Sequence, residues 1–498
     1  MNPTSEQTHI INLVSSGNNI AIQARAGAGK TSTLKLIASS YPEKTFGAIY
    51  FNKANVEELN AAFDKPSNLI GTTIHGAAYK AIMLGGFANK LSPYLDFNDI
   101  PQEDLENLCK SIGIPKHNWR KESITFTKTI LEVIKEFCKS DSYDLESFAK
   151  NSLVDLLDRS LEGCEDTLVP IICKHWKYIT SGNSAKITHD VYLKMFHLGK
   201  YQLTDLWDSQ AKYLRKIDAI FLDEAQDSNP VTLGIIANQN LQKIIVGDSA
   251  QSIYGWRGAV GTMDEFSSWE QASLTTSFRF TQEIADLANF VLKKRGEGNL
   301  LVGSGKSNPK EGKVILCRKN ATLWRLAFER AVLGQYTYVE SDFKTLKSNL
   351  FHISSLMSGN IPKYPSKELS MYKTKEELVK GAKIHDELGT LIQLGNTMRN
   401  FGSGLTDSLT ILQKFLVEEK TPEVLCLSSI HRSKGLQWNE VTIADDFLKL
   451  PEIEEFEVED LVEQMWEDEE MTSLLYVAIT RAKEKVNFPW YLSDAFGD

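Results

Sequence analysis

Residues 20–36 read Ile20-Ala21-Ile22-Gln23-Ala24-Arg25-Ala26-Gly27-Ala28-Gly29-Lys30-Thr31-Ser32-Thr33-Leu34-Lys35-Leu36. Ile20–Gln23 has the texture of a buried strand, the next residues are small, and a helical run follows Lys30. This is the A/G-x-x-x-x-G-K-T phosphate loop in strand–loop–helix context. Its small residues let backbone N–H groups wrap phosphate oxygens, its lysine reaches the β and γ phosphates, and its threonine ligates Mg²⁺. The candidate nucleotide contacts are therefore Ala24, Arg25, Ala26, Gly27, Ala28, Gly29, Lys30, Thr31 and Ser32, with ATP as ligand and Mg²⁺ as its cation.

Outward from the loop, the chain needs a carboxylate pair to make such a site hydrolytic. Ile217-Asp218-Ala219-Ile220-Phe221-Leu222-Asp223-Glu224-Ala225-Gln226-Asp227 supplies an apolar strand ending in two acids. Asp223 fits the Mg²⁺ shell with Thr31, and Glu224 fits the base that orients and deprotonates the attacking water. Alone, such a pair also suits a solvated helix cap; beside the phosphate loop it points to phosphoanhydride hydrolysis.

The rest of the chain sets the scale. Its 498 residues exceed one hydrophobic core and ask for about two to four domains. A hydrophobic fraction of 42% with 24% charged residues, 14 Pro and 31 Gly excludes collagenous, low-complexity and disordered classes. Met1–Gln7 has neither a basic nor an apolar leader region, and no run of about 18 apolar residues follows, so secretion and membrane insertion are not expected. The six cysteines are scattered without a C-x-x-C pair, which argues against zinc and disulfide frameworks and for a reducing compartment. The expected location is the cytoplasm, with the nucleoid, or the nucleus of a eukaryote. The net charge of −10 is local: residues 451–470 hold 11 acids and no Lys or Arg, which leaves the other 478 residues at +1. Phosphate binding depends on local field, so the global charge does not exclude nucleic acid.

Strand-like runs at Ala48–Phe51, Ile217–Leu222 and Ile244–Val246, each followed by a polar loop, give an α/β texture. Residues 100–210 instead show helical spacing, as in Ile124, Ile130, Leu131, Ile134 and Phe137, and read as a helical insertion. A second α/β region begins near Leu274, with strands at Val314–Cys317 and Val424–Leu427, and a Lys-rich helical piece interrupts it from 346 to about 421. The acidic stretch 452–470 carries Val458, Leu461, Val462, Met465 and Trp466 at spacings of three and four, and reads as one amphipathic helix with its acids in water.

Val246-Gly247-Asp248-Ser249-Ala250-Gln251-Ser252-Ile253-Tyr254-Gly255-Trp256-Arg257-Gly258-Ala259 resembles motif III of superfamily 1A DNA helicases, the UvrD/PcrA/Rep family. Six further segments resemble that family's motifs in order. They are Gln7 (Q motif), Ala48–Ala54 (Ia), Thr72–Gly76 (Ib), Leu274–Arg279 (IV), Ser429–Trp438 (V) and Leu474–Lys483 (VI). The resemblance spans residue 7 to about 488. It implies an α/β fold of two RecA-like P-loop motor domains, parallel sheets with flanking helices, that carry helical insertion domains. In these terms domain 1A is 1–88 and 207–272 with insertion 1B at 89–206, and domain 2A is 273–345 and 422–498 with a small 2B at 346–421.

The resemblance implies ATP bound between the motors, with Gln7 reading adenine, Phe278 stacking on it, and Gly435 and Gln437 nearby. It assigns Arg279 and Arg481 to the γ-phosphate and Gln251 to coupling phosphate loss with DNA. For DNA it implies stacking by Tyr50 or Phe51, Tyr254 and Trp256, with Asn52, Lys53, Thr73, His75, Arg257 and His431 near the strand. The implied partners are single-stranded DNA and its junctions with duplex, in repair or recombination, and the implied activity is ATP-driven 3′→5′ translocation and unwinding. Three departures stand out: Arg25 replaces a family glycine, Gln437 replaces a glutamate, and motif Ia is one residue short between Phe51 and Asn52. The compact 2B, the 17 residues after Arg481 and the lead into motif VI through Glu469-Glu470 resemble the motor of the F-box DNA helicase group, with no F-box before Gln7 and no length left for a nuclease. A function of a different class, an ATP-gated DNA sensor that recruits a partner enzyme, fits the same motifs; strand displacement discriminates the two.

Overall fold

The computed structural model describes residues 3–84, 90–92, 95, 99–156, 164–182, 186–208, 212–255, 263–305, 311–448 and 458–496. The chain divides into two compact units, Met1–Ala24 with Gly29–Leu274, and Arg25–Ala28 with Thr275–Asp498. Each is built on a parallel six-stranded sheet with flanking helices, the RecA-like architecture.

In the first unit the strand order is Glu270–Leu274, Ile20–Ala24, Gln242–Gly247, Ala219–Leu222, Phe46–Tyr50, Leu69–Thr73. All neighbours are parallel, and the central strands are apolar on both faces, as a sheet covered by helices requires. The phosphate loop, the carboxylate pair and the segment after Gly247 all leave the C-terminal ends of adjacent central strands. Strands are shifted from their sequence reading: Phe46–Tyr50 ends one residue before Phe51, and Ala219–Leu222 starts after Ile217, whose N–H is bonded to Thr204 O. The first helix, Ser5–Val14, is opened by a capping box that Thr4 and Gln7 form.

The stretch read as a helical insertion is largely helical, but it also contains the pair Lys90–Leu91 with Lys186–Ile187 and the start of a hairpin, Asp205–Asp208 with Tyr213–Lys216. Helix Trp119–Lys139 buries Phe126, Ile130, Val133, Ile134 and Phe137 at spacings of three and four. Ile124, offered by sequence as part of that face, is 50% exposed, since it lies off the stripe. The buried face joins one continuous core with the sheet residues Ile49, Ile70, Ile220 and Ile245. The Phe137 ring meets Trp176 edge-on at 5.4 Å and lies 4.1 Å from Lys194 Nζ. Phe137→Ala is therefore expected to cost about 3–5 kcal/mol, measured as a shift of the urea midpoint; a loss below about 1 kcal/mol would contradict this packing.

In the second unit the order is Leu416–Val417, Thr337–Val339, Leu425–Ser429, Lys313–Cys317, Trp438–Ile443, Ala482–Asn487, again all parallel. Helices Phe343–Met357, Lys375–Ile384, Asp386–Asn400 and Leu405–Phe415 form the interrupting piece, and Leu350, Ile353, Leu391 and Leu409 share a core with Leu427. The acidic stretch is two helices, Val458–Glu467 and Glu469–Ile479, rather than one. Asp468 divides them, because its carboxylate accepts from Glu470 N and Met471 N and caps the second. Met465 is buried and Trp466 packs on Phe290 and Phe496, while Glu459, Asp460, Glu463 and Glu467 are exposed. Glu452, Glu454, Glu455 and Glu457 lie outside the described residues. No described helix is long and apolar enough to cross a membrane.

Candidate nucleotide site and DNA cleft

The phosphate loop ends at Gly29, whose φ of 81° caps helix Lys30–Ser40 in a left-handed conformation that glycine adopts without steric cost. Lys30 is thus the first residue of the helix, where free N–H groups and the helix dipole favour an anion. Its Nζ lies 2.9 Å from each carboxylate oxygen of Glu224. Burial alone would depress the ammonium, but the carboxylates of Glu224, Asp223 and Asp248 outweigh it and hold Lys30 above the ordinary lysine range.

Asp223 and Glu224 leave the tip of strand Ala219–Leu222, as the sequence predicts. Burial, then the neighbouring Glu224 charge, push the Asp223 carboxyl up to about 7. A site that holds two carboxylates so closely favours added positive charge. Glu224 itself is left-handed, with φ 53° and ψ 47°, a strained conformation for a side chain other than glycine and one typical of functional turns. The turn is held by Glu224 N donating to Asp223 Oδ1 (3.0 Å) and Asp227 N donating to Glu224 O (2.9 Å).

From Glu224 a buried polar chain runs into the next strand's loop. Gln226 Nε2 donates to Glu224 Oε2 (2.6 Å), Asp248 N donates to Gln226 Oε1 (3.0 Å), and Gln251 Nε2 donates to Asp248 Oδ2 (2.7 Å). Gln226 and Asp248 are fully buried and Gln251 nearly so. Sequence reasoning found the two ends of this chain and missed its middle, Gln226 and Asp248; the signal for the first was a glutamine two residues beyond the acids.

On the same unit, Ile49, Tyr50, Phe51, Asn52, Ile74, His75, Lys135, Lys139 and Asp190 help line a cleft of about 540 Å³. Of the two aromatic candidates, Tyr50 is the last residue of its strand and only 2% exposed, whereas Phe51 leaves the sheet and is 36% exposed. The Phe51 ring stacks on Tyr254, with centroids 5.7 Å apart and planes 19° from parallel. His75 Nε2 lies 3.5 Å from Asp190 Oδ1, and this contact holds the Asp190 carboxyl below its ordinary range. Asn52 and Thr73 also have local duties: Asn52 Oδ1 accepts from Asn55 N, and Thr73 Oγ1 accepts from Gly76 N at the start of the next helix. Lys53 is exposed and paired with Glu57. Lys135 and Lys139, paired with Glu132 and Glu136, come from helix Trp119–Lys139 and carry no sequence signal of their own. Trp256 and Arg257 lie outside the described residues.

Gln7, also in this unit, uses both ends of its amide: Oε1 accepts from Thr4 N and Nε2 donates to Thr33 Oγ1. In the second unit, Arg25 is fully buried, with Nε donating to Asn299 O (2.7 Å) and Nη2 paired with Glu297 (2.8 Å). Its charge is therefore matched by Glu297. Ala26 N donates to Tyr476 Oη, and Phe278 N to Gly27 O. The Phe278 side chain is 52% exposed. Arg279 Nη1 donates to Thr480 O; Arg481 is buried, with Nε on Val477 O and Nη1 on Leu436 O. Gln437 donates to Glu311, which also pairs with Lys483, so its amide serves the fold. Gly435 takes φ 89°, and His431 is half-buried after strand Leu425–Ser429.

Residues 3–268 match the family model of the UvrD/REP helicase N-terminal domain, and residues 373–493 that of the UvrD-like helicase C-terminal domain. F-box DNA helicase protein 1 of Schizosaccharomyces pombe is 29% identical over 538 aligned residues, covering 97% of this chain and 57% of that protein. F-box DNA helicase 1 of Gallus gallus is 27% identical over 97% of this chain and 48% of its own length. DNA helicase II of Escherichia coli is 22% identical over 55% of this chain and 38% of its own. The chain thus spans about half the length of the F-box relatives it matches. With a carboxylate pair at one strand tip beside the strand ends at Ala24 and Gly247 on one parallel sheet, and a family-model match over more than half its length, the chain belongs to the UvrD/REP helicase family.

Proposed function

We propose that the chain is an ATP-dependent DNA helicase motor that moves 3′→5′ along single-stranded DNA and opens duplex at its junctions, in DNA repair or recombination. The observation that carries this reading is the unbroken polar chain Lys30–Glu224–Gln226–Asp248–Gln251, three residues from Tyr254, whose ring meets Phe51 beside the cleft. Such a connection is what coupling hydrolysis to a stacked strand requires. Residues 89–206 and 346–421 are proposed as accessory domains on the two motors.

In this reading Lys30 and the loop amides bind the β and γ phosphates of ATP, and Glu224 accepts the proton of the attacking water. Arg279 and Arg481 are assigned by resemblance to the charge of the transferred phosphoryl group. Thr31 and Asp223 suit Mg²⁺, which supplies charge neutralisation at the phosphates. Such an ion takes one or two protein ligands and fills its shell with phosphate oxygens and water.

The cleft is read as part of the strand's path, with Phe51 as a stacking face and Lys135 and Lys139 as phosphate contacts. Phe51→Ala is expected to weaken binding of oligo-dT by about 1–3 kcal/mol, a rise in Kd of roughly 5- to 150-fold, read by fluorescence anisotropy. An unchanged Kd would remove Phe51 from the path. The reading as a whole is tested by ATP hydrolysis with and without single-stranded DNA: strong stimulation is expected, and turnover indifferent to DNA would contradict it.

A further inference from the structure

We propose that Gln226 is a positioning residue that couples the carboxylate of Glu224 to the Asp248–Gln251 segment, a role that rests on the ATPase reading above. Chemistry fixes which way its amide faces. A carboxylate accepts only from the NH₂ end and a backbone N–H donates only to the carbonyl end, so Nε2 meets Glu224 Oε2 and Oε1 meets Asp248 N. Both ends of one fully buried side chain are thereby committed to two different strand-end turns. The main chain of Gln226 adds a third tie, since Ser252 Oγ donates to Gln226 O at 3.3 Å. Gly247 makes room for the bridge: a Cβ there would come 2.8 Å from Gln226 Oε1.

The arrangement has a mechanical consequence. Lys30 shares the Glu224 carboxylate with Gln226, and when its ammonium turns to a phosphate Gln226 still holds Oε2. Any shift of Glu224 must then be followed by Gln226 and Asp248, or a buried polar group loses its partner, which folded proteins avoid. Asp248 in turn holds Gln251 Nε2 and, through Oδ1, Ala250 N. Movement at the water-activating carboxylate therefore reaches the turn that precedes Tyr254 through a connected set of hydrogen bonds, in both directions.

The test compares wild type with Gln226→Met, which keeps length and removes both bonds, and Gln226→Asn, which keeps the amide and is one methylene too short to span both partners. ATP turnover saturated with oligo-dT is expected to fall about 10- to 100-fold in both, as for other residues that orient a reacting group. ATP binding and oligo-dT affinity without nucleotide should stay within about threefold. The decisive readout is the factor by which a nonhydrolysable ATP analogue changes oligo-dT affinity, which should collapse to within about twofold of unity. A folded variant that keeps both turnover and that factor within about threefold of wild type would overturn the proposal. A parallel loss of ATP binding, DNA binding and melting temperature, or failure of both variants to fold, would make Gln226 a structural prop and overturn it equally. Wild-type protein without DNA-stimulated turnover would instead defeat the ATPase reading itself.

Discussion

Glu224→Gln is expected to lower ATP turnover about 100- to 10,000-fold while ATP affinity stays within a few-fold, the range set by general-base catalysis. The substitution is nearly isosteric. Its amide oxygen can still accept from Gln226 Nε2, which now donates to Glu224 Oε2, so the strained turn at 224 keeps its support. What disappears is the ability to take a proton from water. Loss of the negative charge also frees Lys30, whose Nζ straddles both oxygens of Glu224, and this favours nucleotide binding rather than opposing it. Single-turnover hydrolysis and fluorescent-nucleotide binding separate the two effects. Substantial turnover in the variant would show that another group activates the water.

Lys30→Ala is expected to reduce turnover at least about 1,000-fold, because the loop loses the charge that contacts the phosphates throughout transfer. Oligo-dT binding without nucleotide should persist, since Phe51, Tyr254 and His75 do not depend on Lys30. The variant also leaves Asp223 and Glu224 together without their ammonium. Asp223 already titrates near 7 instead of its ordinary 3.8, because of burial and then Glu224; without Lys30 that value rises further. A carboxyl with a raised folded-state value binds more protons folded than unfolded, so stability is gained as pH falls through that value. In metal-free, nucleotide-free buffer the melting-temperature deficit of Lys30→Ala relative to wild type should therefore shrink from pH 8 to pH 6. A deficit that grows on acidification would mean that Lys30 does not compensate these carboxylates.

The strand–loop–helix form of the loop was legible because it is local. Small residues, a lysine and a threonine at fixed spacing can be read in one window, and the strand–loop–helix context follows from the residues on either side. The carboxylate pair was legible for the same reason. Gln226 was not, because its meaning depends on Asp248 N, 22 positions away in sequence, and on the bare backbone of Gly247. Which of Tyr50 and Phe51 is the more exposed ring was likewise a matter of where one strand ends, and the sheet places that end at Tyr50. Lys135 and Lys139 were invisible as cleft residues, since their own segment reads only as an amphipathic helix. The division of the acidic stretch was readable in principle: Asp468 followed by Glu469-Glu470 is an N-cap signature, but the regular apolar spacing around it favours one helix over two.

Displacement of a labelled strand from duplexes with a single-stranded tail on either end, with ATP and Mg²⁺, tells a 3′→5′ helicase from a DNA-gated ATPase. Release is expected from the 3′-tailed duplex, little from the 5′-tailed one, and none with Glu224→Gln. Vigorous DNA-stimulated ATP hydrolysis without release from either duplex would contradict the helicase reading, and would favour a DNA sensor whose hydrolysis times its own dissociation.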